Sequence, residues 1–195
     1  MSAHAAAAVG TPIIRESGDA DLPAVAAIYG HHVRHGFGSF EEVPPDVDEL
    51  ARRWREIVSK RLPYLVASDG TGTILGYAYA SPYRTRSAYR FALEDSIYLD
   101  MAEIGHGIGR ALLADLLKRC TALGYRQMIA VIGGSDQWPS IRLHAALGFT
   151  RIGLLPAVGF KFGSWVDSVL MQRALGPGST TPPQPILIET GGEHG

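Results

Sequence analysis

In the first third of the chain the apolar positions recur at helical spacing. Leu22, Val25, Ala26, Ile28 and Tyr29 form one stripe, which predicts a helix capped by Asp19 or Asp21. That stripe runs out in H-H-V-R-H-G-F-G at residues 31–38. A second stripe, made of Leu50, Trp54, Ile57 and Val58 or Arg61, follows Pro44 and Pro45. Asp46 and Glu49 stand ahead of it at the spacing of a capping box.

Beyond residue 63 the period shortens. Y-L-V-A-S at 64–68 and I-L-G-Y-A-Y-A at 74–80 flank a D-G-T-G turn, which predicts a hairpin. I-I-R at 13–15 reads as a short strand. Residues 92–101 are a strand by their β-branched and aromatic content. A helix over 111–123 follows, closed by Gly124. Q-M-I-A-V-I at 127–132 has the unbroken apolar run of a strand covered on both faces. A short helix at 140–147 ends at Gly148, and strands at 149–155 and 165–171 complete the series. The strand, helix, strand crossover at 92–132 places two parallel strands side by side within a mixed sheet, and so predicts an α/β fold.

The ends carry a different pattern. M-S-A-H-A-A-A-A-V-G lacks the charged start and long apolar run of a signal peptide, so residues 1–12 are expected to be a disordered leader. G-P-G-S-T-T-P-P-Q-P and G-G-E-H-G mark 176–195 as a flexible Pro/Gly-rich tail. One folded unit over 13–175 remains. Of 195 residues, 46% are hydrophobic, and a chain this long can bury about 70% of its unfolded surface. A formal net charge of −1 provides no basic field for nucleic acid or a membrane surface. No apolar run approaches the ~20 residues of a spanning helix. The single cysteine, Cys120, excludes an internal disulfide and points to a reducing, cytoplasmic setting.

Candidate chemistry concentrates at E-I-G-H-G-I-G-R, residues 103–110. Three glycines between a strand and a helix expose backbone N–H groups at a helix N-terminus, the ingredients of an anion site. The pattern is not the dinucleotide fingerprint G-x-G-x-x-G, because Gly105, Gly107 and Gly109 alternate with single residues. On the preceding strand, Glu94, Ser96 and Tyr98 share one face while Asp95, Ile97 and Leu99 share the other. A carboxylate on so apolar a strand needs a partner or a task, and Glu94 and Asp95 compete for it. Arg84 and Arg86 carry guanidinium groups suited to planar anions. His31, His32 and His35 suggest metal ligation by count, but no cysteine or carboxylate completes a ligand spacing, so no metal site is expected.

S-I-Y-L-D-M-A-E-I-G-H-G-I-G-R-A-L-L at 96–113 resembles the acetyl-CoA-binding core of the GNAT superfamily of N-acetyltransferases. There a Q/R-x-x-G-x-G/A loop wraps the cofactor's pyrophosphate. Further motifs resemble the phosphinothricin and methionine sulfoximine acetyltransferase branch. They are Ile28-Tyr29 with S-F-E at 39–41, Y-R-T-R-S-A-Y at 83–89, E-D-S-I-Y-L at 94–99 and I-A-V-I-G at 129–133. S-I-R-L-H-A-A-L-G-F at 140–149 and G-F-K-F-G-S-W-V-D at 159–167 continue the series. Two departures stand out. Ile104 replaces the polar first residue of the loop pattern, and Gln137 or Asp136 stands where the branch places an asparagine beside the pantetheine arm.

The resemblance implies a GNAT fold, a mostly antiparallel mixed sheet whose central parallel pair splays apart between flanking helices. It implies acetyl-CoA as donor, held by Ile97, Tyr98 and Leu99, by Ile104, Gly105, His106, Gly107, Ile108, Gly109 and Arg110, and by Gln137. A backbone N–H near Tyr98 or Leu99 would support the oxyanion. Glu94 would be the general base, acting directly or through water, with the motif E-x-S-I-Y favouring it over Asp95. His144 would bond substrate or protonate the thiolate. Phe40, Arg84, Arg86 and Tyr89 would hold an acidic amino-acid analogue, phosphinothricin or methionine sulfoximine/sulfone. Lys161 and Trp165 match branch positions near this pocket or at the contact of a homodimer. The alternatives are another small amine or a protein N-terminus as acceptor, or a coenzyme A-binding protein without catalysis.

Overall fold

The computed structural model describes residues 11–184 and 186. The elements follow the expected order: β1 (Ile13–Glu16), α1 (Leu22–His35), α2 (Val47–Ser59), β2 (Tyr64–Ser68), β3 (Ile74–Pro82), β4 (Ala92–Leu99), α3 (Ile108–Ala122), β5 (Gln127–Gly133), α4 (Trp138–Ala146), β6 (Thr150–Lys161) and β7 (Ser164–Ala174). Seven strands form one sheet in the order β1-β2-β3-β4-β5-β7-β6. Every neighbouring pair is antiparallel except β4 and β5.

The parallel pair is short. Registered partners run from Ala92↔Gln127 to Asp95↔Ala130 and stop there. β4 continues to Leu99 against β3, and β5 continues to Gly133 against β7. The two arms therefore splay beyond Asp95, each with one edge unpaired. Such an edge leaves backbone N–H and C=O groups that need other partners.

Helices cover both faces of the sheet. Tyr29 of α1 meets Tyr98 of β4 edge-on, with ring centroids 5.0 Å apart, which places α1 on the Tyr98 face. Gly109 of α3 lies against Leu99 and Ile97, which places α3 on the other. Leu112, Leu113, Leu116, Leu117 and Cys120 fill the core beneath α3. At α2, Asp46 Oδ1 accepts from the Glu49 N–H at 2.8 Å. The capping box is only half made, because the Glu49 carboxylate turns to Arg52 and Arg53 instead. Leu50 and Ile57 are buried as expected, whereas Val58 faces solvent.

Several boundaries differ from the sequence reading, and three of them change an element that borders the cleft or the sheet edge. α3 begins at Ile108 rather than 111, because Gly107 takes the left-handed cap conformation (φ 82°) and Gly109 is helical. α4 begins at Trp138, with Pro139 in its first turn, where a missing N–H does no harm. β6 extends to Lys161 across a bulge between Leu155 and Gly159, where Ala157 has φ 49°. The Asp167 carboxylate accepts the Ala157 N–H there at 2.9 Å. At the C-terminal end, Arg126 donates to the carbonyls of Gly178 and Pro182, so the start of the expected tail is tied to the domain. The expected leader falls almost wholly outside the described residues.

Candidate active site

A cavity of about 870 Å³ opens where β4 and β5 diverge. Its walls include Glu94–Leu99 of β4, Ala130–Gly133 of β5, the glycine segment, the start of α4, and the loop 38–41. Alternation along β4 sends Glu94 to the α1 side and Asp95 to the α3 side, so the two carboxylates serve different halves of the cavity.

The glycine segment forms the entrance. Gly105 and Gly107 have φ of 91° and 82°, conformations that residues with a Cβ rarely adopt. A Cβ added at either would meet nothing within 4 Å, so backbone conformation rather than crowding requires glycine there. The first intrahelical bond of α3 runs from the Ala111 N–H to the Gly107 carbonyl at 3.1 Å. The N–H groups of Ile108, Gly109 and Arg110 precede it and have no helical acceptor. No side chain caps them. This donor set suits an anion. Gly109 has a second function: a Cβ there would lie 3.3 Å from both Leu143 and Leu99.

The predicted site residues divide. Glu94, Ile97, Tyr98, Leu99, Ile104, Gly105, Gly107, Gly109, Arg110, Gln137, His144 and Phe40 all line the cavity. Between Gln137 and Asp136, it is Gln137 that faces it. The Ile108 side chain is buried in the core, which leaves only its backbone for a ligand. His106 turns away and sits 3.5 Å from Glu103. Arg86 and Tyr89 lie in the β3–β4 connection outside the cavity wall, where Tyr89 packs against Tyr83. Arg84 is also off the wall but near Glu94: its Nη1 is 4.0 Å from Glu94 Oε2. Of the four residues expected to hold the acceptor, Phe40 lines the cavity and Arg84 adjoins Glu94, whereas Arg86 and Tyr89 do neither within this chain.

Burial raises the Glu94 pKa above the usual carboxylate range, against the Arg84 charge that lowers it and with the Asp95 charge that adds to the rise. A carboxyl so placed holds a proton more readily than a free one, which suits a proton acceptor. His144 is buried with Asp95. Its Nε2 lies 2.9 Å from Asp95 Oδ2, and its Nδ1 lies 2.7 Å from the Ser140 carbonyl. Burial alone would lower the imidazole pKa, but the hydrogen bond and charge of Asp95 and the Ser140 carbonyl raise it on balance. With both ring nitrogens engaged, His144 has no N–H free for a departing thiolate.

Three features escaped the sequence reading. Asp95 is the partner of His144 rather than a rival of Glu94. His32 reaches across from α1, its Nε2–H donating to the Leu99 carbonyl at 2.7 Å. Lys161, on β6, is buried and donates to the carbonyls of Gly36 and Ser39 at 2.8 and 2.7 Å. It thereby pins the loop bearing Phe40, whose ring covers Gly159 too closely for a Cβ; at Gly133 it is the Phe37 carbonyl of the same loop, backed by the Phe40 ring, that leaves no room for one. Glycine at 133 and 159 was the available signal. Among the described residues no cluster of His, Cys, Asp or Glu could hold a metal ion, and no helix is long and apolar enough to cross a membrane.

Residues 27–149 match the acetyltransferase (GNAT) family. The chain belongs to that family. It is 54% identical to a phosphinothricin N-acetyltransferase from Alcaligenes faecalis over 88% of its own length and 86% of the relative's. An L-methionine sulfoximine/L-methionine sulfone acetyltransferase from Pseudomonas aeruginosa is 37% identical over 87% of this chain and 98% of its own. The crystal structure of a Sinorhizobium meliloti phosphinothricin acetyltransferase in complex with AcCoA superposes with a TM-score of 0.88 at 49% identity, covering 92% of this chain and 97% of that one. The family resemblance and its fold, with the splayed parallel pair, are thus borne out.

Proposed function

We propose that the protein transfers an acetyl group from acetyl-CoA to the α-amino group of a small acidic amino-acid analogue, phosphinothricin or methionine sulfoximine/sulfone. The observation that carries the reading is the placement of Glu94, partly buried with a raised pKa, at the apex of a cleft whose mouth presents free backbone donors. The relatives' activities support the choice of acceptor.

The chain's residues fit the donor. The N–H groups of 108–110 would hold the diphosphate, and the unpaired edges of β4 and β5 would bond the pantetheine arm. When bound, acetyl-CoA supplies an activated acyl group as a thioester. Glu94 takes the ammonium proton, so the amine nitrogen can form its bond to the acyl carbon; as the bond to sulfur breaks, the nitrogen gives up its further proton, which ends on the released thiolate or in solvent. Backbone N–H groups at Tyr98 or Leu99 would support the negative charge on oxygen. A thiolate is a weak enough base, with the cysteine thiol ionising at about 8.5, for sulfur to leave without a dedicated acid. Most of the acceleration comes from proximity, which can be worth several kcal/mol.

Arg84, beside Glu94, is the chain's own candidate for the acceptor's acid group. A second copy would complete the acceptor side. Ile152, Leu154, Val158, Phe160 and Trp165 leave an apolar surface on the β6–β7 edge, with Trp165 69% exposed, and a homodimer would cover it. A cytoplasmic location belongs to the same reading, on the free thiol of Cys120. Thiol release from acetyl-CoA over a panel of amines tests it. Release with phosphinothricin or methionine sulfone supports it, release only with other amines moves the acceptor, and silence across the panel removes the catalytic reading.

A further inference from the structure

The Asp95–His144 pair stands at one point of the fold, the apex of the cleft. Asp95 is the last β4 residue in register with β5, opposite Ala130. His144 belongs to α4, the helix that follows β5. The pair therefore joins the β4 arm to the element carried by the β5 arm, where the two separate. Both side chains are almost wholly sequestered, 2% exposed for His144 and 1% for Asp95. The other carboxylate oxygen, Asp95 Oδ1, is buried without a hydrogen-bond partner. A carboxylate in that state is costly, and a hydrophobic pair would fill the same space at less cost. What an ionic pair supplies instead is a fixed geometry between two elements.

We infer that Asp95 is a positioning residue: with His144 it forms a clasp that fixes how far the β4 and β5 arms open, and so sets the affinity of the cleft for coenzyme A. The inference rests on the reading above that the cleft takes this ligand. The clasp depends on a proton. The Ser140 carbonyl can only accept, so Nδ1 must carry a hydrogen. A second proton must then lie between Nε2 and Asp95 Oδ2, since without it a lone pair would face a carboxylate. The groups around the pair are the Glu94 carboxylate next along β4, the Cys120 thiol of α3, the Ser140 hydroxyl of α4 at 3.5 Å, and the Phe149 ring edge-on at 5.0 Å. The imidazole pKa is raised relative to its ordinary value. The clasp is therefore fully held below the ordinary histidine pKa and lost as pH rises through the raised value.

Titration calorimetry with coenzyme A alone tests the inference, using the full chain between about pH 6 and pH 9, a window that brackets the ordinary histidine pKa. The wild type should bind more weakly as pH rises through the imidazole pKa. Asp95→Ala should weaken binding about tenfold at the acid end of that window, where the clasp is held, a change of 1.4 kcal/mol, with circular dichroism and thermal unfolding checking that it folds. Asp95→Asn keeps a neutral bond, its amide N–H donating to Nε2, so it should stay within about threefold of wild type and show no alkaline loss. If Asp95→Ala does not fold, the Asp95→Asn pH series decides alone. The clasp is overturned if Asp95→Ala binds like wild type, if Asp95→Asn loses as much as Asp95→Ala, or if Asp95→Asn retains the wild-type pH dependence. A wild type that does not bind coenzyme A overturns both this inference and the proposed function. One that binds it yet acetylates no amine removes the proposed function and leaves the clasp to be judged on these affinities.

Discussion

Arg84 holds its guanidinium 4.0 Å from the Glu94 carboxylate, anchored by a 2.8 Å bond to the Tyr83 carbonyl and stacked over the Tyr83 ring. Its charge opposes the burial that raises the Glu94 pKa. Glu94 must be ionised to accept a proton, so turnover should rise with pH through its raised pKa. Arg84→Ala removes the opposing charge and should move that rising limb of the kcat profile to higher pH. An unmoved limb would show that the two groups do not communicate.

Removing the base tests the assignment itself. Glu94→Gln should lower kcat by about two orders of magnitude or more, the usual scale of general-base catalysis. Coenzyme A affinity, read by calorimetry, should stay close to wild type, because Glu94 lies on the α1 side of the cleft, away from the glycine segment.

The glycine segment makes a contrasting pair of variants. Gly107→Val forces a β-branched residue into φ 82° at the helix cap, a strain of about 1–2 kcal/mol. It should reduce coenzyme A binding at least about tenfold if the first turn of α3 shifts with it. Ile104, 46% exposed at the entrance, contributes no polar group, so Ile104→Gln should keep binding intact.

How much of this was legible in the sequence follows from how local each cause is. Stripes such as Leu22–Val25–Tyr29 and the hairpin around D-G-T-G depend on neighbours in the chain, and they appear as expected. The extension of β6 was hidden because Pro156 and Gly159 interrupt its pattern, and the bulge that accommodates them is held by Asp167, a residue of the next strand. A carboxylate on an apolar strand is conspicuous, but Glu94 and Asp95 share that signal, and it took the alternation of faces and the family motif E-x-S-I-Y to favour Glu94. The pairing of Asp95 with His144 spans 49 positions, and no local pattern encodes it. The Lys161 bonds to the 36–39 loop span more than 120 positions, and a lysine in an exposed-looking strand gives no sign of burial.

Lys161 offers a further test. Lys161→Met keeps most of the aliphatic volume but strips the buried Ser39 carbonyl and the part-buried Gly36 carbonyl of their donor, at a cost of about 1–3 kcal/mol for a buried group left unsatisfied. The thermal unfolding midpoint should fall. KM for the acceptor amine should rise more than KM for acetyl-CoA, because the released loop carries Phe40 and Ser39.

Cys120 should take no part in the chemistry. It is fully buried, and burial pushes its thiol up to about 12, so it offers no thiolate near neutral pH. Initial-rate plots against both substrates should intersect, as direct transfer in a ternary complex requires. Parallel lines would indicate an acetylated enzyme and a different nucleophile.

The most direct measurement is the identity of the product. After incubation of acetyl-CoA and phosphinothricin with the wild type, mass spectrometry and NMR should find the acetyl group on the α-nitrogen, with formation strongly suppressed in Glu94→Gln. Unmodified phosphinothricin and methionine sulfone, from a protein that demonstrably binds coenzyme A, would contradict the account.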